Sequence, residues 1–154
     1  MTYTLETTIH VSLETFMKKF NNPENLKHWQ RNIVAYDFIT GVYGQTGSKM
    51  RLHYRINDKD FYFIQTMSHV SLPHELDMSF QNEGVVSFQK NQFKAISDTK
   101  TLWISENTIV PTSLKMRLML IFMPNAFKKQ SKQYFNDFKN FAEHDISVNN
   151  QNSK

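Results

Sequence analysis

The chain has 154 residues, a length typical of a single domain, and a formal net charge of +4. It has no cysteine, which excludes disulfide frameworks, zinc-thiolate sites and cysteine nucleophiles. Its 13 Phe, 6 Tyr and 8 Met are more bulky apolar side chains than a minimal core of this length needs, so the composition indicates an additional use for them.

The charge pattern argues against two classes of partner. Basic residues are dispersed among acids and accompany no nucleic-acid-binding motif, so we expect no nucleic-acid partner. The apolar run at 114–123 is about half the roughly 20 residues that a membrane-spanning helix requires, and it contains Lys115 and Arg117. Residues 1–11 lack the features of a secretory signal, which together with the absence of cysteine predicts a cytoplasmic protein.

The chain begins with a strand and two short helices. Residues 2–11 alternate between polar and apolar, which predicts a half-buried strand. Ser12 suits the N-cap of a helix over 13–20, and the Asn22–Pro23 pair suits the start of a second one over 23–30.

From residue 31 the apolar period changes to two for about eighty residues, which is typical of strands. Short turns join the segments, so consecutive strands are predicted to be antiparallel neighbours and the total is seven. The six strands predicted here cover 31–40, 48–56, 60–70, 74–82, 85–96 and 101–110.

Two of these strands give more detailed expectations. Folding the strand at 48–56 back through residues 57–60 places Tyr54 opposite Phe63 and puts Gln65 on the apolar face. The strand at 85–96 does not alternate cleanly, which predicts a bulge, with Phe93 as its one inward residue.

After Pro111, the patterns at 113–123 and 124–143 predict two helices. The second has an aromatic stripe through Phe127, Tyr134 and Phe138, and the inner face of the sheet is the apolar surface large enough to bury it. Residues 146–154 have no pattern and are predicted to be a disordered tail.

Four segments resemble the helix-grip fold of the START-like or SRPBCC superfamily, also called polyketide cyclase/dehydrase-like: TTIHVSLETFMKKFNNPENLKHWQ, GVYGQTGSKMRLHY, WISEN and MPNAFKKQSKQYFNDFKNFAE. The resemblance implies an α+β fold in which a curved, seven-stranded antiparallel sheet wraps around a long C-terminal helix. It also implies a single ligand-binding domain over residues 1–145, with a tunnel for an apolar ligand between sheet and helix. Members described as carriers, receptors and aromatase/cyclases are not distinguished by these motifs.

The predicted ligand site combines apolar walls with a few polar anchors on the inner face, the usual composition of a small-molecule site. For each of these residues taken alone, an ordinary packed core is the favoured interpretation, and only the set as a whole favours a ligand site. The predicted ligand-binding residues are Tyr54, Phe63, Gln65, Met67, His69, Met78, Phe80, Phe93, Trp103, Asn107, Met119, Phe127 and Tyr134.

The sequence gives little support to catalysis. The six His residues have no metal-ligand spacing, so neither a metal nor a cofactor is expected. No Ser-His-Asp set or inward pair of carboxylates can be assembled, and no catalytic residue is predicted. The favoured function is non-catalytic binding or transport of a small hydrophobic or amphipathic ligand, lipid-like or polyketide-like. The alternative is a cyclase, dehydratase or aromatase that uses Tyr54, His69 or Gln65 to orient a substrate.

The segment 113–123 is predicted to cover the entrance of the tunnel, because it joins the last strand to the closing helix. Its methionines suit a lid that adapts to a ligand, and Lys115 and Arg117 suit transient contact with a membrane surface. A capping helix or a homodimer contact is the alternative, so monomer and homodimer both stay open.

Overall fold

The structure is a computed structural model that describes residues 1–149. Its strands form one antiparallel sheet in the order β1-β7-β6-β5-β4-β3-β2. The strands are β1 Thr2–Ile9, β2 Ile33–Thr40, β3 Lys49–Ile56, β4 Lys59–Ser71, β5 Glu75–Asn82, β6 Val85–Ser97 and β7 Lys100–Pro111. The helices are α1 Leu13–Phe20, α2 Leu26–Trp29, which follows a 3₁₀ turn at Pro23–Asn25, α3 Leu114–Phe122 and α4 Ala126–His144. No helix within residues 1–149 is long and apolar enough to cross a membrane.

The α+β helix-grip architecture predicted from the sequence is confirmed, and each strand boundary lies within about two residues of its predicted position. Local chemistry explains this agreement. The Ser12 and Ser113 hydroxyls accept hydrogen bonds from backbone N–H groups at the starts of α1 and α3. In the β2–β3 loop Gly41 has φ +77°, and a Cβ there would lie 2.9 Å from the Ser48 Cα, so this turn requires glycine.

The β3–β4 register differs from the prediction by two residues. Asn57 and Asp58 both have positive φ, 52° and 63°, and form a two-residue turn in place of the predicted four-residue one. Tyr54 therefore pairs with Phe61 rather than Phe63. Because side chains alternate with a period of two, the shift leaves every residue on its predicted face, and Gln65 still points inward.

The irregularity predicted for β6 is present, and it lies at the end of the strand. The strand pairs regularly with β5 along its length, and its one irregularity with β7 lies between Ala95 and Ser97. Three of the inward-facing residues of β6 are polar, so the sequence of this strand does not show the usual alternation of apolar and polar residues. The inner face of β6 carries Val85, Ser87, Gln89, Asn91 and Phe93.

One end of the interior is a tightly packed aromatic cluster. Phe16 of α1 lies 5.1 Å from Phe93 of β6 and 4.9 Å from Phe138 of α4, measured between ring centroids. All three side chains are 0% exposed. Phe20 and Trp103 complete the cluster, so α1 supplies the side chains that join the sheet to α4 at this end.

The C-terminal segment is ordered further than predicted. Asp145 adopts a left-handed conformation and ends α4. Beyond it Ser147 and Val148 are buried, and the Ser147 hydroxyl lies 2.8 Å from His28 Nδ1. The predicted tail at 146–154 is therefore corrected for residues 146–149, because burial of Val148 attaches this segment to the body. Residues 150–154 lie outside the described residues.

Candidate functional site

A cavity of about 240 Å³ lies between the inner face of the sheet and α4. Strands β3 to β7 provide one wall, and α4 provides the other. Ten of the thirteen predicted ligand-binding residues line it: Tyr54, Phe63, Gln65, Met67, Met78, Phe80, Trp103, Asn107, Phe127 and Tyr134. The volume lies a little below the roughly 300 to 1,000 Å³ of sites for drug-sized ligands, which suits a compact guest.

His69 is outside the cavity. The β4–β5 pairing shifts between Met67 and His69, so the alternation of faces changes there. Val70, not His69, lies opposite the buried Leu76. The His69 side chain is 52% exposed, and its Nε2 lies 3.3 Å from Glu75 Oε2. The prediction that His69 lies on the inner face of the sheet is wrong.

Phe93 and Met119 also lie away from the cavity lining. Phe93 points inward as predicted, but the rings of Phe16 and Phe20 cover it, so it belongs to the packed aromatic cluster. Met119 belongs to α3, and no residue of this helix lines the cavity.

The segment 113–123, which was predicted to cover the entrance of the tunnel, therefore lies beside the cavity and not over it. Thr112 N–H donates to the Gly84 carbonyl at 2.9 Å, which holds the start of α3 beside the β5–β6 turn. A Cβ built on Gly84 would lie 3.1 Å from the Ser113 hydroxyl oxygen and 3.9 Å from Met116 Cε. The absence of a side chain at Gly84 lets α3 settle over this turn.

The cavity reaches the surface between the β3–β4 hairpin and the first turns of α4. Ile56 and Phe61 line the cavity and are 36% and 38% exposed. Phe127 and Gln130 line it from the α4 side. The mouth is thus bordered by three apolar side chains and one amide.

Several polar lining residues were missed by the sequence reasoning. Gln89 and Ser87 come from the β6 face that did not appear to alternate, and Tyr43 comes from the glycine-rich β2–β3 loop. Gln89 and Ser87 could have been found by continuing a period of two from Val85 to Phe93. The other missed polar residues are Tyr3, Gln30, Gln130 and Ser131.

Hydrogen bonds satisfy some of the inner polar groups. The Tyr54 hydroxyl donates to Gln30 Oε1 at 3.0 Å. Asn107 Nδ2 donates to the Ser105 hydroxyl at 3.1 Å, and Ser105 itself is buried behind the lining. By contrast, no hydrogen bond joins the side chains of Gln65, Ser87 and Gln89 to another residue in the part of the chain described. These three polar groups are available to a guest.

The lining carries no ionised side chain among the described residues. It contains no Asp, Glu, Lys, Arg or His. Its tyrosines stay protonated, since burial raises the pKa of Tyr43 to about 12 and, as the main cause, also raises the pKa of Tyr54 and Tyr134. The described lining side chains therefore carry no charge over the physiological pH range.

Two further observations concern metal ions and hydrogen-bond donors at the site. No group of three or more His, Cys, Asp or Glu side chains in residues 1–149 is arranged to hold a metal ion. The indole N–H of Trp29, a lining residue, is buried and has no hydrogen-bond partner within this range. An unpaired buried donor costs about 1 to 3 kcal/mol.

A curved antiparallel sheet closed by a long C-terminal helix around a cavity defines an SRPBCC-like, or START-like, helix-grip fold. The Zhui aromatase/cyclase from a Streptomyces species shares it with a TM-score of 0.75 and 9% identity over 92% of this chain and 93% of that one. A START superfamily protein from Mycobacterium smegmatis has a TM-score of 0.72 and 12% identity over 92% and 96%. A conserved protein from Geobacillus kaustophilus has a TM-score of 0.75 and 11% identity over 92% and 95%.

These identities establish likeness of fold alone. No protein-family model and no curated protein sequence matches the chain.

Proposed function

We propose that the protein is a non-catalytic cytoplasmic carrier or sensor that binds a small, uncharged, apolar molecule in the cavity. The observation that carries this proposal is the lining, which is apolar and aromatic and has no charged side chain among the described residues. An ionised guest would lose its hydration on entry and gain no opposite charge, at a cost of several kcal/mol. A neutral guest avoids this penalty and gains from burial of its apolar surface.

The free polar groups indicate what the neutral guest carries. Gln65, Ser87 and Gln89 can each donate or accept a hydrogen bond. A carbonyl or hydroxyl oxygen on the guest would pair with them and offset its own desolvation. The proposed ligand class is therefore an apolar molecule with one or a few neutral oxygen functions, lipid-like or polyketide-like.

A pair of dyes that differ in one charge tests the proposal. N-phenyl-naphthylamine is neutral, and anilinonaphthalene sulfonate adds an anionic group to the same rings. In a fluorescence titration we expect the neutral dye to bind at least about tenfold more tightly, a difference of about 1.4 kcal/mol. Met78→Trp places a larger side chain in the cavity and should abolish binding. Phe88→Trp, at a position 47% exposed, is the matched control and should have no effect.

Mass spectrometry of the denatured, purified protein completes the test, because a ligand retained from the cell would block the dye. Wild-type protein that holds no extractable small molecule and binds no dye would refute the proposal. Equal dye binding by wild type and Met78→Trp would place the dye elsewhere and refute it as well.

An enzyme of the cyclase, dehydratase or aromatase type is the second candidate. It is favoured by the Tyr54 hydroxyl, which lines the cavity in its protonated form and can transfer its hydrogen bond from Gln30 Oε1 to a substrate carbonyl. Loss of turnover of a polyketide-like substrate in Tyr54→Phe, with ligand affinity retained, would favour this candidate. Turnover that does not exceed the buffer rate would remove it.

A further inference from the structure

Helix α3 presents an apolar side to solvent. Leu114, Leu118 and Ile121 recur at intervals of four and three residues, so they lie along one side of the helix. They are 72%, 45% and 70% exposed, and the adjoining Phe122 is 79% exposed. The opposite side, which includes Met116, packs against the core. The exposed side of α3 is therefore not the side that attaches the helix to the rest of the protein.

The charges around this side are basic. Lys115 and Arg117 follow Leu114 by one and three residues, which places them on the two flanks of the exposed stripe at about 100° per residue. The 30 residues from 107 to 136 contain no Asp or Glu. Their basic residues are Lys115, Arg117, Lys128, Lys129 and Lys132. The acids at the neighbouring turns are Asp58 and Glu83.

The helix lies at the same end of the sheet as the mouth of the cavity. In the antiparallel order, the end of β3, the start of β4, the end of β5, the start of β6 and the end of β7 meet at one end. Helix α3 leaves β7 at this end, and α4 begins there with Phe127 on the cavity wall. Ile56 and Phe61 add exposed apolar surface beside the mouth.

From these observations we infer that this end of the protein docks on an anionic lipid bilayer, with the exposed side of α3 inserted among the lipids. Apolar side chains at interfacial depth and flanking cations are the two contributions that hold a helix in a membrane surface. Lys and Arg at the flanks can extend toward lipid phosphates while their stems stay apolar. Docking in this orientation turns the mouth of the cavity toward the bilayer, and it does not require a ligand in the cavity.

Co-sedimentation with vesicles tests this inference. Vesicles of phosphatidylcholine with 30% phosphatidylglycerol should pellet the wild-type protein, and vesicles of phosphatidylcholine alone should pellet about tenfold less. Ile121→Asp/Phe122→Asp should lower the partition coefficient for the anionic vesicles by at least about tenfold. Lys128→Gln/Lys129→Gln should lower it by roughly 30-fold, since each cation near an anionic surface contributes about fivefold, or about 1 kcal/mol.

Phe88→Asp is the matched control, since it removes an exposed aromatic from the outer face of the sheet, and it should pellet like wild type. Circular dichroism and binding of the neutral dye without vesicles confirm that each variant is folded, and the dye result tests the cavity separately from docking. Wild-type protein that does not pellet, or an Ile121→Asp/Phe122→Asp variant that pellets equally well, would overturn the inference. Self-association in light scattering that Leu118→Glu abolishes, without vesicle binding, would assign the surface to a second copy and also overturn it.

Discussion

The two ends of the interior use the same sheet face and the same helix but differ in packing. At one end Phe16, Phe93 and Phe138 are fully buried, and the Phe16 ring centroid lies 5.1 Å from that of Phe93 and 4.9 Å from that of Phe138. At the other end Phe63 and Phe80 are only partly buried and surround a cavity of about 240 Å³. The difference comes from the helices between sheet and α4: α1 inserts aromatic rings into the gap at one end, while α3 lies beside the gap at the other.

The largest expected effect compares truncations at the two ends. Phe16→Ala removes a ring enclosed by other rings and should lower the free energy of unfolding by about 3 to 5 kcal/mol. Phe80→Ala removes a ring that already borders open space, and it should cost less than about 1.5 kcal/mol. Urea denaturation of both variants measures the two values. Equal costs would mean that the two ends are packed alike.

A smaller effect is expected at the ion pair that attaches the segment after α2 to α4. Arg31 donates from Nε and Nη2 to the two carboxylate oxygens of the buried Asp137, at 2.6 and 3.1 Å. Arg31→Met should destabilise the protein by roughly 1.5 to 3 kcal/mol, the usual value of charge-assisted hydrogen bonds. Lys18→Met, which breaks the exposed pair with Glu14, is the control and should cost less than about 0.5 kcal/mol. Similar losses in both variants would contradict the assignment of Asp137 as an anchor.

The smallest effect is a pH dependence at the packed end. Burial raises the pKa of Glu143, but hydrogen bonds from Lys139 and the His10 N–H outweigh it and hold the pKa below the ordinary value of 4.5. A depressed carboxyl pKa stabilises the fold above the unfolded pKa, and that contribution disappears as pH falls through the folded pKa. The urea midpoint of wild type should therefore fall more steeply than that of Glu143→Gln between about pH 6 and pH 3. Parallel profiles would contradict this assignment.

The sequence was sufficient where the structure is determined locally. Alternation and turn residues predict the strands. The error in the β3–β4 turn did not change the predicted orientation of Gln65, because a shift of two residues keeps each side chain on the same face of the sheet. The face on which His69 lies was predicted wrongly, because no residue near it in the sequence indicates the change of alternation after Met67. Phe93 and Met119 were misplaced for a different reason. Whether an inward ring borders a cavity depends on how α1 and α3 pack, and a strand or helix pattern does not contain that information.

The central claim is that the open end receives a neutral guest between sheet and α4. A crystal structure of the protein saturated with N-phenyl-naphthylamine measures this directly. We predict density for one dye molecule between Tyr54, Met78 and Tyr134, with the aromatic cluster around Phe16 unchanged. An interior filled by side chains, or a dye bound only on the outer surface, would contradict the account.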